Sequence, residues 1–245
     1  MSITVNELAK MIDHSLLHPT MTDKVLEEEC KIAKKYNAAS VCIKPYAVKQ
    51  AVELLKGSDV MVGTVIGFPH GNSAISIKVL EAVHACNDGA VEIDMVINIG
   101  KALGEEWKYV EDEIKAVNEA VVSNGAILKV IFENDFLDDK HIVKLCEICN
   151  RIEPAFVKTS TGYGFVKQNN GMYSYDGATE HDLKLMRQHS KSSIEVKAAG
   201  GVRTLEDLLR VRSFGVTRVG ATATSAILDK AQSILDSGKK LENVI

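Results

Sequence analysis

The chain has 245 residues, close to the length of one (β/α)8 barrel, and it buries about 70–75% of its unfolded surface without needing disulfides or metals. Apolar residues make up 46% and charged residues 25%, an ordinary soluble composition, and the net charge of −4 argues against nucleic-acid or anionic-membrane partners. No apolar run approaches the ~18 residues of a membrane span, MSITVNELAK lacks a signal-peptide core, and five cysteines without framework spacing suit a reducing cytoplasm.

Eight short segments dense in Val and Ile follow a short N-terminal stretch expected to form a helical extension. They are 11–15, 39–44, 60–67, 90–98, 126–133, 155–161, 194–200 and 216–222. Their apolar runs are mostly continuous, as in strands covered on both faces. Between them lie helical patterns. Asp23 is the expected cap of a helix over 24–36, and Ser73 of one over 74–87. A third helix is expected from about 105 to 123, where Val110, Ile114, Val117 and Val121 recur at helical spacing. Thr204 with Asp207 approximates a capping box before LEDLLRVRSF. Strand and helix alternating eight times imply parallel pairing closed into a TIM barrel, read as a single domain over 1–245. An open doubly wound sheet would call for a glycine-rich dinucleotide turn after the first strand, and none is present. The one long irregular stretch, 162–177, follows the sixth strand, and loops of that length are usually functional.

A barrel works at the C-terminal ends of its strands. There the sequence offers Asp13, Cys42 and Lys44, Asp94 and Asn98, Lys129 and Glu133, Lys158, and Lys197. A central barrel strand has no solvent face, so its lysines must point into the barrel or into the helix layer. Two lysines on neighbouring strands suggest an amine nucleophile. Lowering a lysine pKa from about 10.4 to about 7.5 takes roughly 4 kcal/mol, and one like charge about 4 Å away supplies about that at an effective dielectric of 20. These considerations leave open which lysine reacts. Asp94, between Ile93 and Met95, needs a cationic partner and could then move protons.

Gly200-Gly201 and the Gly220-Ala221-Thr222 opening of the last helix read as a phosphate site, with free N–H groups at a positive dipole end. Weaker signals resolve to structure. Cys146 and Cys149 fall late in a helix with no second pair to complete a zinc site, His14 and His18 have no clustered companions, and His70 sits in a turn. No metal or cofactor is expected.

Together the blocks Asp13-His14-Ser15-Leu16-Leu17, Val41-Cys42-Ile43-Lys44-Pro45, Gly67-Phe68-Pro69, Glu92-Ile93-Asp94-Met95-Val96, the Lys158 segment, Lys197 through Arg203, and Arg218-Val219-Gly220 run nearly end to end. In that order they resemble the deoxyribose-phosphate aldolase family, class I enzymes interconverting 2-deoxyribose 5-phosphate with acetaldehyde and glyceraldehyde 3-phosphate. The resemblance implies that Lys158 is the Schiff-base lysine, that Lys197 lowers its pKa and that Asp94 relays its protons. It further implies that Asp13 and Cys42 are pocket residues and that Gly200, Gly201 and Gly220 belong to the phosphate site; Lys129, Thr159 and Thr222 are further expected substrate contacts. The implied partner is a small phosphorylated sugar, with a homodimer left open.

Three features depart from the family pattern. Ala221-Thr222-Ala223-Thr224 stands where small hydroxylic residues are usual. The stretch from Tyr163 to Gly177 is long and is expected to bring Tyr163, Tyr173 and Tyr175 to the rim, covering the acceptor end of the pocket. The tail ends Leu241-Glu242-Asn243-Val244-Ile245, without the terminal tyrosine of some members. The rival reading is a metal-dependent aldolase or phosphosugar isomerase on the same barrel. A barrel kept only for binding is disfavoured, because buried charges are costly to retain without use.

Overall fold

The computed structural model describes residues 3–244. Eight parallel strands close into a barrel: β1 (Ile12–Leu16), β2 (Ser40–Ile43), β3 (Met61–Ile66), β4 (Glu92–Val96), β5 (Ile127–Ile131), β6 (Phe156–Lys158), β9 (Glu195–Ala199) and β10 (Arg218–Ala221). Each neighbours the next in sequence around the ring, and β10 closes onto β1 with Asp13 opposite Gly220. All eight fall within the segments expected from sequence, apart from a one-residue extension of the first to Leu16. Between β6 and β9 a small antiparallel hairpin, β7 (Val166–Lys167) and β8 (Tyr173–Ser174), gives structure to the long 162–177 stretch.

Among the described residues ten α-helices accompany the strands: α1 (Val5–Ala9), the N-terminal extension; α2 (Asp23–Lys35); α3 (Val48–Leu55); α4 (Ile75–Asn87); α5 (Ile99–Leu103); α6 (Trp107–Ser123); α7 (Asp139–Ile152); α8 (Glu180–His189); α9 (Leu205–Ser213); and α10 (Thr224–Asp236). Among the described residues no helix is long and apolar enough to cross a membrane. Thr204 and Asp207 form the expected capping box at α9. Two expected caps are displaced. Thr22, not Asp23, caps α2 by accepting the Val25 N–H, and Asp23 instead places its charge in the first turn. α4 begins at Ile75 after Ala74, so Ser73 makes no cap. The helix expected from about 105 is preceded by the short α5, which Asn98 caps. The last helix opens at Thr224, so Gly220, Ala221 and Thr222 form the strand end and the turn before it.

The apolar core lies between the strands and the helices, not inside the barrel. Side chains alternate along a strand, so in β4 Ile93 and Met95 enter that core while Glu92 and Asp94 point inward. The same period puts Leu128 and Val130 outside Lys129, Val157 outside Lys158, and Val196 and Ala198 outside Lys197. The inward faces are therefore charged on six of the eight strands, β2 and β3 being the exceptions. Cys146 and Cys149 are buried in the outer core on α7, and His14 is held between Thr224 and Glu29.

Candidate active site

Seven charged side chains fill the barrel interior. Lys158 sits directly opposite Lys197 in the β6–β9 register, and Asp94 opposite Lys129 in the β4–β5 register. Lys158 Nζ and Lys197 Nζ each donate to Asp94 Oδ2 at 2.7 Å, so the two ammonium groups are no more than two hydrogen-bond lengths apart. Lys197 also donates to Asp13 Oδ2. Lys129 donates to Asp13 Oδ2 at 2.9 Å and to Glu92 Oε2 at 2.5 Å, and lies 3.2 Å from Asp94 Oδ1. That last contact is an ion pair without hydrogen-bond alignment, which leaves Asp94 Oδ1 buried and unbonded. Arg218 Nη1 completes the set, 2.5 Å from Asp13 Oδ1 and 2.9 Å from Glu92 Oε2.

The three lysines differ in how much negative charge each faces. Burial alone would strip protons from all of them. For Lys129, Asp13, Asp94 and Glu92 outweigh burial and hold the ammonium above its ordinary range. Asp13 and Asp94 do the same for Lys197. Lys158 bonds Asp94 alone, so burial, aided by the Lys197 charge, prevails and its pKa is lowered. Burial therefore exceeds the neighbouring ammonium as the cause, a different weighting from the like-charge arithmetic of the sequence. Asp94, despite burial, is held well below the carboxylate range by the three lysines around it. Cys42 is pushed up to about 11 by burial and by Asp94, so its thiol stays protonated.

A pocket of about 190 Å³ opens above this layer at the C-terminal strand ends. Lys158, Lys197 and Cys42 form its floor, with Gly200, Gly201, Gly220, Thr222 and the exposed Arg203 on one side. Asp94, Asp13 and Lys129 lie beneath it and reach it only through the lysines. Thr159 is buried away from it, its hydroxyl tied to the Ala199 backbone at 3.1 Å and so fastening β6 to β9. Lys44 turns outward to the Met21 carbonyl.

The far wall comes from the hairpin segment. Tyr163 packs edge-to-face on Phe68, and Tyr175 on Phe165. Both line the pocket, whereas Tyr173 stands 62% exposed on the outer side, contrary to the expectation that it joins the rim. Glu133, beyond the end of β5, grips the start of this segment: its carboxylate accepts the Thr161 N–H at 3.0 Å and the Thr161 hydroxyl. It does so from a left-handed backbone, φ 61°, rare for a side-chain-bearing residue. Gly164 makes room for it, since a Cβ there would lie 2.7 Å from the Glu133 carboxyl carbon. Asp135 holds the other end, accepting the Asp176 N–H at 2.5 Å and the Gly177 N–H at 3.1 Å.

Sequence reading assigned no role to Glu92 or Arg218, although both complete the charged layer. The signal was present. Glu92 and Asp94 are two apart in one buried strand and must share a face, as must Arg218 and Gly220.

Residues 8–232 match the model of a family described as DeoC/LacD family aldolase. A protein of Rhodopirellula baltica named deoxyribose-phosphate aldolase is 46% identical over 230 residues, 94% of this chain and 91% of that protein. One of the same name from Caldanaerobacter subterraneus subsp. tengcongensis is 45% identical over 91% of this chain and 93% of its own length. A solved structure described as the unique tetrameric structure of deoxyribose phosphate aldolase from Aeropyrum pernix superposes with a TM-score of 0.83 at 26% identity, covering 94% of this chain and 93% of that one.

Proposed function

This chain belongs to the DeoC/LacD family of aldolases, and we propose that it reversibly cleaves 2-deoxy-D-ribose 5-phosphate to acetaldehyde and D-glyceraldehyde 3-phosphate through a Schiff base on Lys158. The observation that carries the choice of lysine is the unequal share of negative charge. Lys158 bonds one carboxylate, Lys197 two, and Lys129 lies against three. Only Lys158 both lines the pocket and has its pKa lowered.

In the cleavage direction the neutral Lys158 amine adds to the sugar aldehyde, and loss of water gives an iminium ion. Removal of the proton from the 3-hydroxyl lets the bond between carbons 2 and 3 break, its electron pair flowing into the iminium to form an enamine. Glyceraldehyde 3-phosphate leaves. Protonation of the enamine carbon and hydrolysis then release acetaldehyde and return the amine. Asp94 serves as the proton carrier for these steps, relayed by the lysines it bonds, and Lys197 remains a fixed cation. Gly200, Gly201, Gly220 and Thr222 hold the phosphate by backbone N–H groups near the opening of α10, with Arg203 adding positive charge at the rim. Asp13 and Lys129 support the pocket from below, Cys42 contributes a neutral surface, and Thr159 acts on the pocket's shape. A cytoplasmic location and assembly as a homodimer belong to the same proposal.

The direct test is release of acetaldehyde from 2-deoxyribose 5-phosphate, followed by coupled reduction of the aldehyde. No release at any enzyme concentration overturns the assignment. Binding energy from a phosphate remote from the reacting carbon also assists kcat, so unphosphorylated deoxyribose should react far more slowly. At Gly201, φ 89°, a Cβ would meet only the Asp176 carbonyl oxygen at 3.8 Å, so Gly201→Val projects into the pocket without a clash there, while straining a left-handed backbone that suits glycine. It should raise KM for phosphorylated substrates well beyond that for unphosphorylated ones, while Thr222→Ala, leaving the backbone donors in place, changes KM little. Equal losses on both substrate classes would refute the phosphate assignment.

Lys197→Leu supplies the pH test. Its charge lowers the Lys158 pKa, so removing it raises that pKa and moves the ascending limb of kcat/KM to higher pH by about one unit or more. A limb that stays in place would mean that Lys197 does not tune the nucleophile.

A further inference from the structure

The charged layer contains three carboxylates, Asp13, Glu92 and Asp94, and four cations, Lys129, Lys158, Lys197 and Arg218, joined by direct contacts into one set. With every group ionised the set carries one surplus positive charge. All seven are buried, so that surplus is poorly screened and is relieved by loss of a single proton. A guanidinium does not give one up. Lys129 lies against three carboxylates and Lys197 against two, whereas Lys158 has Asp94 only. The surplus therefore falls on Lys158.

We infer that Glu92 and Arg218, which line neither the pocket nor Lys158, are positioning residues in an electrostatic sense, setting through the charge count of the layer how readily Lys158 releases its proton. This rests on Lys158 being the nucleophile. Glu92 takes Arg218 and Lys129 on one carboxylate, and Arg218 in turn divides Asp13 with Lys197 and Lys129. Removing Arg218 frees Asp13 to draw more strongly on Lys197, and the layer becomes neutral with Lys158 protonated. Removing Glu92 raises the surplus to two and presses Lys158 harder to deprotonate. The groups that bear on Lys158 directly are Asp94 from β4, Lys197 from β9 and Cys42 from β2, with Glu133 beyond β5. None of these is altered by either substitution.

The test reads the Lys158 midpoint itself, by trace acetylation across pH with the extent at Lys158 quantified by mass spectrometry. Glu92→Gln should move the midpoint down by about one unit and Arg218→Gln up by about one unit, the size expected of a charge a few bond lengths away in a buried site. The double variant Glu92→Gln/Arg218→Gln restores the count and should return to the wild-type midpoint, and Arg218→Lys should stay near it. Shifts of the same sign in the two single variants, or a double variant that does not return, overturn the inference. Should Arg218→Gln alone not fold, the step from Glu92→Gln to the double variant decides: an upward move of about one unit is expected, and no move refutes the idea. The readout needs no turnover, so lack of activity on 2-deoxyribose 5-phosphate would count against the proposed function alone.

Discussion

Replacing Lys158 with leucine should abolish turnover, a loss on the order of 10⁴-fold or more, as when the nucleophile of a cooperating catalytic set is removed. The same substitution removes the N-ethyl adduct that acetaldehyde and borohydride leave on the wild-type protein. Inactivity alone would be ambiguous, since buried lysines also hold folds together. Here the charge count separates the two outcomes. Without Lys158 the layer holds three carboxylates and three cations, and the leucine replaces the one cation with a single partner. The variant should therefore melt no lower than the wild type, because the six groups that remain are charge-balanced and the leucine replaces a buried amine with an apolar side chain. An adduct found by mass spectrometry on Lys197 or Lys129 of the wild type would reassign the nucleophile. A variant that retains turnover would end the Schiff-base mechanism altogether.

Asp94→Asn should slow the reaction by on the order of 10²–10⁴-fold while leaving the fold in place. The carboxylate takes both reactive-face lysines on Oδ2 and so bridges their amines; held ionised by the lysines around it, it can carry a proton only in transit between them. The amide keeps the shape and loses that capacity. It also removes a negative charge from beside Lys158, so the amine deprotonates more readily and the ascending limb of kcat/KM moves to lower pH. A slower enzyme with a better-populated nucleophile identifies proton transfer, not amine supply, as the lost step. A slower enzyme whose limb moves upward would show instead that Asp94 had been depressing the lysine pKa.

Much of the fold is legible in the amino-acid sequence. The eight strands were legible because each is a short Val/Ile-rich segment, and Lys158, Lys197 and Asp94 because charges in such segments have nowhere cheap to go. What was missed follows from geometry that sequence leaves implicit. The continuous apolar look of the strands conceals their alternation, so Glu92 and Arg218, inside the expected strands 90–98 and 216–222, receive no role although they face the same interior as Asp94 and Lys197. Thr159 lies beside the nucleophile in sequence, yet the same alternation carries it away from the pocket to the β9 backbone. The expected caps at Asp23 and Ser73 each lie one residue from the observed N-cap positions, Thr22 and Ala74, because side-chain preference alone does not resolve where a helix begins. The hairpin escaped notice because its strands are two residues each, too short to carry a period.

Glu133 and Asp135 belong to one short turn, yet between them they fasten both feet of the 161–177 segment. From the standpoint of the barrel that segment is a cassette plugged into two fixed sockets. Lengthening or trimming its middle alters only the closure entropy of a loop whose ends stay put, a quantity that changes by about 0.6 kcal/mol for each doubling. Evolution, or an engineer, can thus exchange the roof of the pocket while the charged floor never registers the trade. Under the proposed function, exchanging this segment should alter acceptor preference while the adduct at Lys158 stays in place.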